Sequence, residues 1–138
     1  DENAYGLGGI APHAGLFSTA RAIAPIARMF LNEGALNNHR LVTPETVQLF
    51  TQRANLVAGS SRALGWDTPA AGGASGNLFS PVSYGQTGFT GTSLSIDPSR
   101  NFYAILLTNR IHPTRENPKL PSLRPRFHDA LIKTLDTN

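Results

Sequence analysis

At 138 residues, with 40% hydrophobic and 15% charged side chains, the chain can build a core and is one domain at most. Twelve Lys and Arg, ten of them Arg, against nine Asp and Glu leave a net charge of +3, far less than nucleic-acid binding concentrates on one surface. The sequence has no cysteine, which excludes a disulfide scaffold, a thiolate zinc site and a Cys nucleophile, and its longest apolar run, residues 102–107, is far short of the roughly 20 residues that span a bilayer.

Residues 1–17 carry Gly6, Gly8, Gly9 and Gly15 and read as loop. They show no initiator methionine, signal segment or basic leader, and Asp1-Glu2-Asn3-Ala4-Tyr5 reads as the interior of a longer sequence. Ser18 or Thr19 then caps a helix. Ile23, Ile26, Ala27, Phe30 and Leu31 follow at helical spacing, with Arg21, Arg28 and Asn32 opposite. Pro25 lacks a donor and crowds the preceding turn, so a kink or a later start is expected. Gly34 is the stop. Thr43-Pro44-Glu45 opens a second helix, with Thr43 as cap and Pro44 in first position; Val47 and Phe50 are its expected buried face, and it fades by Arg53.

Residues 62–67 alternate, with Leu64 and Trp66 on one side, and read as a short strand. Residues 68–81 hold Gly72, Gly73, Gly76 and two prolines, a surface loop. Residues 82–87 suit a strand, and residues 92–97 alternate with Leu94 and Ile96 inward. Asp97-Pro98-Ser99-Arg100 has the composition of a type I turn. Residues 102–107 are continuously apolar, as expected of a central strand covered on both faces. Pro113, Pro118 and Pro121 interrupt the chain before a closing helix with Phe127, Ala130, Leu131 and Leu135 on one face. Helix, helix, hairpin-linked strands and helix describe an α/β (α+β) fold, an antiparallel sheet with packed helices.

Gly6-Leu7-Gly8-Gly9-Ile10-Ala11 matches the spacing of a dinucleotide-binding turn, which requires a buried strand before it and a helix opening at its glycines. Asp1 to Tyr5 is no such strand and Pro12 follows, so the segment reads as plain loop. His13, His39, His112 and His128 lack the spacing of a zinc site. No metal and no cofactor is expected, and each histidine reads as surface or hydrogen-bonded structure. His13 and His112, beside proline in loops, keep a functional reading as well. Residues 110–133 set Arg110, Arg115, Lys119, Arg124, Arg126 and Lys133 against Glu116 and Asp129. That segment is either a solvated loop and helix face or an anion-binding patch, with few aromatics for base stacking.

Gln86-Thr87-Gly88-Phe89-Thr90-Gly91-Thr92 is the informative stretch. Its glycines allow close backbone approach and its threonines present hydroxyls between two strands. A β-turn explains the glycines, but not a polar Gln-Thr pair entering an otherwise apolar hairpin. With Ser93-Leu94-Ser95-Ile96-Asp97-Pro98, Leu107-Thr108-Asn109-Arg110 and the closing helix, it resembles the end of the serine β-lactamase and penicillin-binding-protein family, in its class C and esterase-like branch. Asp1-Glu2-Asn3-Ala4 and His13-Ala14-Gly15-Leu16-Phe17-Ser18-Thr19-Ala20 are similar to an earlier block of that branch, so the resemblance covers essentially the whole chain.

That family combines S-x-x-K, a Tyr- or Ser-x-Asn element and K-T-G. Its serine attacks an acyl carbonyl and forms an acyl-enzyme while backbone N–H groups hold the oxyanion. The resemblance implies that residues 1–138 are the C-terminal fragment of a single β-lactamase-like domain. Lys119 and Lys133 are the only lysines, and Glu116 and Ala130 stand three before them, so S-x-x-K is absent. Tyr5, Tyr84 and Tyr103 precede Leu7, Gln86 and Ile105 by two, so Tyr-x-Asn is absent too. Ser75-Gly76-Asn77 and Ser99-Arg100-Asn101 fit Ser-x-Asn formally, but the family's element lies well upstream of the third motif, and both are chance matches. The nucleophile is expected outside this chain.

Gln86 stands where the family has lysine. A cation there attracts a substrate carboxylate, whereas Gln86 only hydrogen-bonds, which shifts the expected substrate toward esters and other acyl compounds. The resemblance further implies that Thr87 lines the acyl pocket, Gly88 gives clearance and the Phe89 N–H is a backbone oxyanion donor. His112, Thr114 and Arg115 occupy the stretch that in class C enzymes reaches over the cleft toward a substrate carboxylate. The expected function is thus part of a serine acyl hydrolase (esterase, β-lactamase or D-Ala-D-Ala carboxypeptidase-like), with this chain inactive alone. Expected partners are a small-molecule acyl substrate, the missing N-terminal part of the domain and, through a homo-oligomer or segment swap, a second copy; nucleic acid and a membrane span are not. The family implies a periplasmic or secreted setting. The rival reading is a non-catalytic interaction module using the basic C-terminal surface.

Overall fold

A computed structural model describes residues 1–137. The glycine-rich start is not all loop: Glu2–Gly6 forms a short helix, α1, because the Asp1 carboxylate accepts the Ala4 N–H at 2.9 Å, and no glycine interrupts Glu2 to Tyr5. Helix α2 (Ala20–Leu31) starts where Thr19 Oγ1 accepts the Ala22 N–H at 3.2 Å. It runs through Pro25 without a break. The carbonyl deprived of its donor belongs to Arg21, which is exposed and open to water. The helix closes with Glu33 N–H on the Phe30 carbonyl and Gly34 N–H on the Met29 carbonyl, the Schellman pattern, its left-handed seat taken by Glu33 at φ 51° rather than by a glycine.

A two-residue hairpin follows, β1 (Ala35–Leu36) against β2 (His39–Arg40), turned by Asn37 and Asn38 at φ 50° and 65°, the positive values that such a turn demands. Helix α3 (Pro44–Thr51) begins as its sequence dictates, with Thr43 Oγ1 accepting the Thr46 N–H at 3.2 Å. Val47 is buried, but Phe50 is 44% exposed, so only half of the expected face is used. Residues 62–67 are no strand. Arg62 and Asp67 face each other across a reversal closed by the Ala63 N–H on the Trp66 carbonyl at 2.8 Å, with Gly65 at φ 84°.

The main sheet is antiparallel, in the order β3 (Tyr84–Thr87), β4 (Ser93–Asp97), β5 (Phe102–Leu106). Tyr84 pairs with Ile96, Thr87 with Ser93, and Ser93 in turn with Leu106. The central strand among the described residues is therefore β4, while the continuously apolar β5 lies at the edge. The expected alternation in β4 misleads as well. Ile96 is fully buried, yet Ser93, Ser95 and Asp97 on the other face are also buried, and Leu94 is half-buried.

Each face of the sheet carries a small core. On one, Ala27 of α2 packs on Tyr84 and Ile96 with Phe30, Trp66, Leu94 and Tyr103 around them; Trp66 stands edge-on to Phe30 at 4.9 Å and to Tyr84 at 5.3 Å, a favoured aromatic geometry. On the other, Phe79, Ala104 and Ile132 pack together. Ile132 belongs to the closing helix α4 (Lys119–Asp136). The packed stripe of α4 differs from the expected one. Leu120, His128 and Ile132 are buried and Arg124 half-buried, a series at i, i+4, i+8 and i+12. Ala130 is exposed and Leu135 44% exposed. A hydropathy reading passes over this stripe because two of its four residues are cationic or titratable.

Candidate functional site

Strand β3 ends in Gln86 and Thr87, both exposed, and the chain reverses through residues 88–92 into β4. The Gly88 N–H bonds the Thr92 carbonyl at 2.8 Å and the Gly91 N–H bonds the Gly88 carbonyl at 3.0 Å. Gly91 sits at φ 108°, and a Cβ on it would lie 2.1 Å from Thr108 Oγ1 and 2.6 Å from Leu120 Cδ2. Only glycine fits there. On Gly88 a Cβ would meet Thr92 Oγ1 at 2.2 Å.

The carbonyls of this turn are capped from outside it. Arg110 Nε donates to the Phe89 carbonyl at 2.7 Å, its guanidinium lies 4.4 Å over the Phe89 ring, and its backbone N–H bonds the Thr90 carbonyl at 2.9 Å. Thr108 Oγ1 donates to the same Thr90 carbonyl at 3.4 Å. Arg124 Nη2 reaches up from α4 to the carbonyls of Gly88 at 3.2 Å and Thr92 at 3.3 Å. The Phe89 N–H donates to no group among the described residues, and Phe89 itself is 63% exposed. Four of the turn's five carbonyls, those of Gly88, Phe89, Thr90 and Thr92, are thus held, while among the described residues the N–H groups of Phe89, Thr90 and Thr92 have no partner, and that of Phe89 directly follows Gly88.

One helical turn beyond Arg124, His128 Nε2 lies 3.1 Å from Ser93 Oγ. Helix α4 therefore runs beside β4, with Leu120 against Gly91, Arg124 on the turn's carbonyls and His128 on Ser93. Burial, and secondarily Arg110, holds the Arg124 guanidinium below its ordinary pKa. Burial first and Arg124 second push His128 down to about 4, against a small upward pull from Asp129. His128 is a neutral imidazole at pH 7.

His112 and Thr114 are exposed in the loop after β5, where Thr114 Oγ1 accepts the Glu116 N–H at 3.2 Å. The Arg115 guanidinium pairs with Glu2 of α1. The Arg115 carbonyl accepts from Arg110 Nη1 at 3.3 Å, so Arg110 ties this loop to the Phe89 turn. Gln86, Thr87, Gly88 and Phe89 are brought together at one strand end; the loop of His112, Thr114 and Arg115 is tied to them by Arg110, which bonds the Arg115 carbonyl. Of the basic segment, Arg110 and Arg124 are engaged with carbonyls and Arg115 with Glu2, which leaves Lys119, Arg126 and Lys133 as exposed cations.

A cavity of about 220 Å³ beside β3 is lined by Gln86, Thr87, Ser93, Ser95, Ser83 and Asp67 among others. A larger open cleft, about 1130 Å³, lies between α2, α3 and residues 68–83 and touches none of the candidate residues. Among the described residues no three His, Asp or Glu side chains are grouped to hold a metal ion. Sequence reasoning named Arg110 and Arg124 only as part of a basic segment. The available signal was the i+4 spacing of Leu120, Arg124, His128 and Ile132, which a search for apolar faces discards.

The antiparallel sheet, covered by a helix on each face and ending in a glycine-framed turn, defines part of an α/β domain of the β-lactamase type. The profile of the Beta-lactamase family matches residues 1–125, and the chain belongs to that family. A protein of Salmonella agona (strain SL483) named "Putative D-alanyl-D-alanine carboxypeptidase" is 42% identical over 126 residues, covering 87% of this chain and 28% of the relative. A protein of the same name from Salmonella paratyphi B is 41% identical over the same shares. The chain thus spans about 28% of the length of these relatives.

Proposed function

We propose that this chain is the C-terminal part of a serine acyl hydrolase that works through an acyl-enzyme, its nucleophile supplied by sequence outside these residues. In this reading a serine hydroxyl adds to the acyl carbonyl and gives up its proton to a base beside it. The carbonyl electron pair moves onto oxygen, and the Phe89 N–H bonds that oxyanion. Collapse of the tetrahedral species expels the leaving group with a proton, and water then releases the acyl group by the same route. Thr87 contacts the acyl chain, Gln86 hydrogen-bonds a polar substituent, and His112, Thr114 and Arg115 border the outer rim. The observation that carries the reading is the unpartnered Phe89 N–H directly after Gln86-Thr87-Gly88, in a chain of the Beta-lactamase family. The name of the Salmonella relatives adds a short peptide ending in a D-amino acid to the acyl compounds worth assaying.

The test is a serine-directed acylating probe on the full-length protein and on residues 1–138 alone, with the adduct mapped by peptide mass. The expected result is one equivalent of label on a serine outside this chain, and no label within it. A full-length protein that is folded and unlabelled by phosphonate, ester and β-lactam probes alike would overturn the proposal.

A further inference from the structure

We propose that Arg124 is a positioning residue for the oxyanion donor, holding the Phe89 turn in register from α4; this rests on the acyl-hydrolase reading above. A half-buried guanidinium ordinarily has a carboxylate partner, because desolvating a cation is costly. Among the described residues Arg124 has none: its hydrogen bonds go to the carbonyls of Gly88 and Thr92, and its Nε is buried without a partner there. Those two carbonyls are the two ends of the turn. Gly88 precedes Phe89 directly, so the Gly88 carbonyl and the Phe89 N–H belong to one peptide plane. Within the turn that oxygen already accepts the Gly91 N–H at 3.0 Å, and the Thr92 carbonyl accepts the Gly88 N–H at 2.8 Å; Arg124 adds a second bond to each and joins both ends of the turn to α4, which fixes the direction of the Phe89 N–H opposite the Gly88 oxygen.

Arg110 secures the next plane through the Phe89 carbonyl at 2.7 Å. The two arginines therefore hold both peptide groups that flank Phe89 from opposite elements. An isolated turn with glycines at 88 and 91 would sample many orientations, and a donor preorganised toward a developing charge needs the turn held in one. A purely apolar side chain at 124 would fill the same space without this restraint.

The test uses the full-length protein and phenylboronic acid. Its boron accepts the serine oxygen as a fourth substituent while the serine proton leaves to base, giving a tetrahedral anion. Arg124→Met should weaken boronate binding and lower kcat on a neutral ester, each by about 10- to 100-fold, with KM within about twofold. Arg124→Lys, which keeps a cationic donor at this position of α4, should recover part of the loss. In wild type the Phe89 amide proton should shift downfield and gain exchange protection in the boronate adduct. A folded Arg124→Met variant that binds boronate as wild type does, or equal impairment of the Met and Lys variants, overturns the proposal. So does an unmoved Phe89 amide in the wild-type adduct, whether or not the Met variant folds. Failure of wild type to form the adduct at all overturns the acyl-hydrolase reading and this proposal with it.

Discussion

His128 Nε2 lies 3.1 Å from Ser93 Oγ, with both side chains closed off from solvent. Nδ1 of the same ring is buried with no partner among the described residues, so a second ring proton would have no acceptor. This accounts for the direction of the pKa, pushed from 6.5 to about 4 chiefly by burial. The unfolded chain binds a proton near pH 6.5 that the folded chain refuses until about 4. The stability tied to the neutral ring is thus complete above pH 6.5 and falls as the pH drops toward 4, by about 3 kcal/mol over the whole window. In the full-length protein, His128→Leu should cost about 1–2 kcal/mol at pH 7 by urea denaturation. The wild type alone should lose roughly 2 kcal/mol between pH 7 and pH 4.5, so the gap should close and the variant become the equally or more stable protein. A gap that stays constant would show that His128 is not the titrating group.

At the far end of β4, the fully buried carboxylate of Asp97 accepts five hydrogen bonds. They come from the Ser80 N–H and Oγ at 2.9 and 2.6 Å, the Ser99 N–H and Oγ at 3.1 and 2.7 Å, and Arg100 Nη1 at 3.0 Å. Burial alone would raise its pKa, but the donors from Ser80, Ser99 and Arg100 outweigh it and hold the group below 3.8. Its contribution is therefore present above the unfolded value and is lost as acid carries the pH down through the folded one. Asp97→Ala strands these donors and should cost about 3–5 kcal/mol. Asp97→Asn keeps part of the network and should cost less. Equal denaturation midpoints for Asp97→Ala and wild type would remove Asp97 as the anchor joining residue 80 to the β4–β5 turn.

What the sequence shows of this fold is what is local to it. Thr19 and Thr43 cap the helices they should, because a cap acts across three residues, and the β3 to β5 boundaries fall within two residues of the alternating and apolar runs. The polar face of β4 could not be read in this way. Ser93, Ser95 and Asp97 look solvent-facing until α4 brings His128 to Ser93 from 35 residues away and Ser80 reaches Asp97 across 17. The same holds for the candidate site. Gln86-Thr87-Gly88-Phe89 is a contiguous motif and stands out in the sequence, whereas Arg124 meets Gly88 across 36 residues.

Residues 1–138 alone should turn over no ester or β-lactam and should not remain monomeric. The first expectation follows from the proposed division of the site, since an oxyanion donor without a nucleophile only binds. The second follows from apolar surface. Phe17 is 93% exposed, Ile10 84% and Leu7 69%, and β5 has an unpaired edge among the described residues. Such surface favours a covering partner. Sedimentation velocity at micromolar concentration should show dimers or larger species, and adding the remaining part of the domain should convert them to a defined complex. A cooperatively folding monomer would contradict this.

Gln86 offers the sharpest test of substrate preference. It is exposed at the end of β3, opposite Leu94, and carries no charge. In the full-length protein, Gln86→Lys should favour acyl substrates that bear a carboxylate. An exposed ion pair is worth about 0–1 kcal/mol and a desolvated one more, so a gain of about tenfold in kcat/KM, or about 1.4 kcal/mol, is expected. Neutral esters should be hydrolysed more slowly, because closing the cleft would then desolvate an unpaired ammonium. Thr87→Val should instead lower activity on both substrates, since it removes a hydroxyl that either acyl group would meet. The measurement is kcat/KM for a neutral ester and its carboxylate analogue in wild type and both variants. If Gln86→Lys leaves the ratio of the two unchanged in a folded protein, Gln86 does not face the substrate, and the cleft must lie on another side of β3.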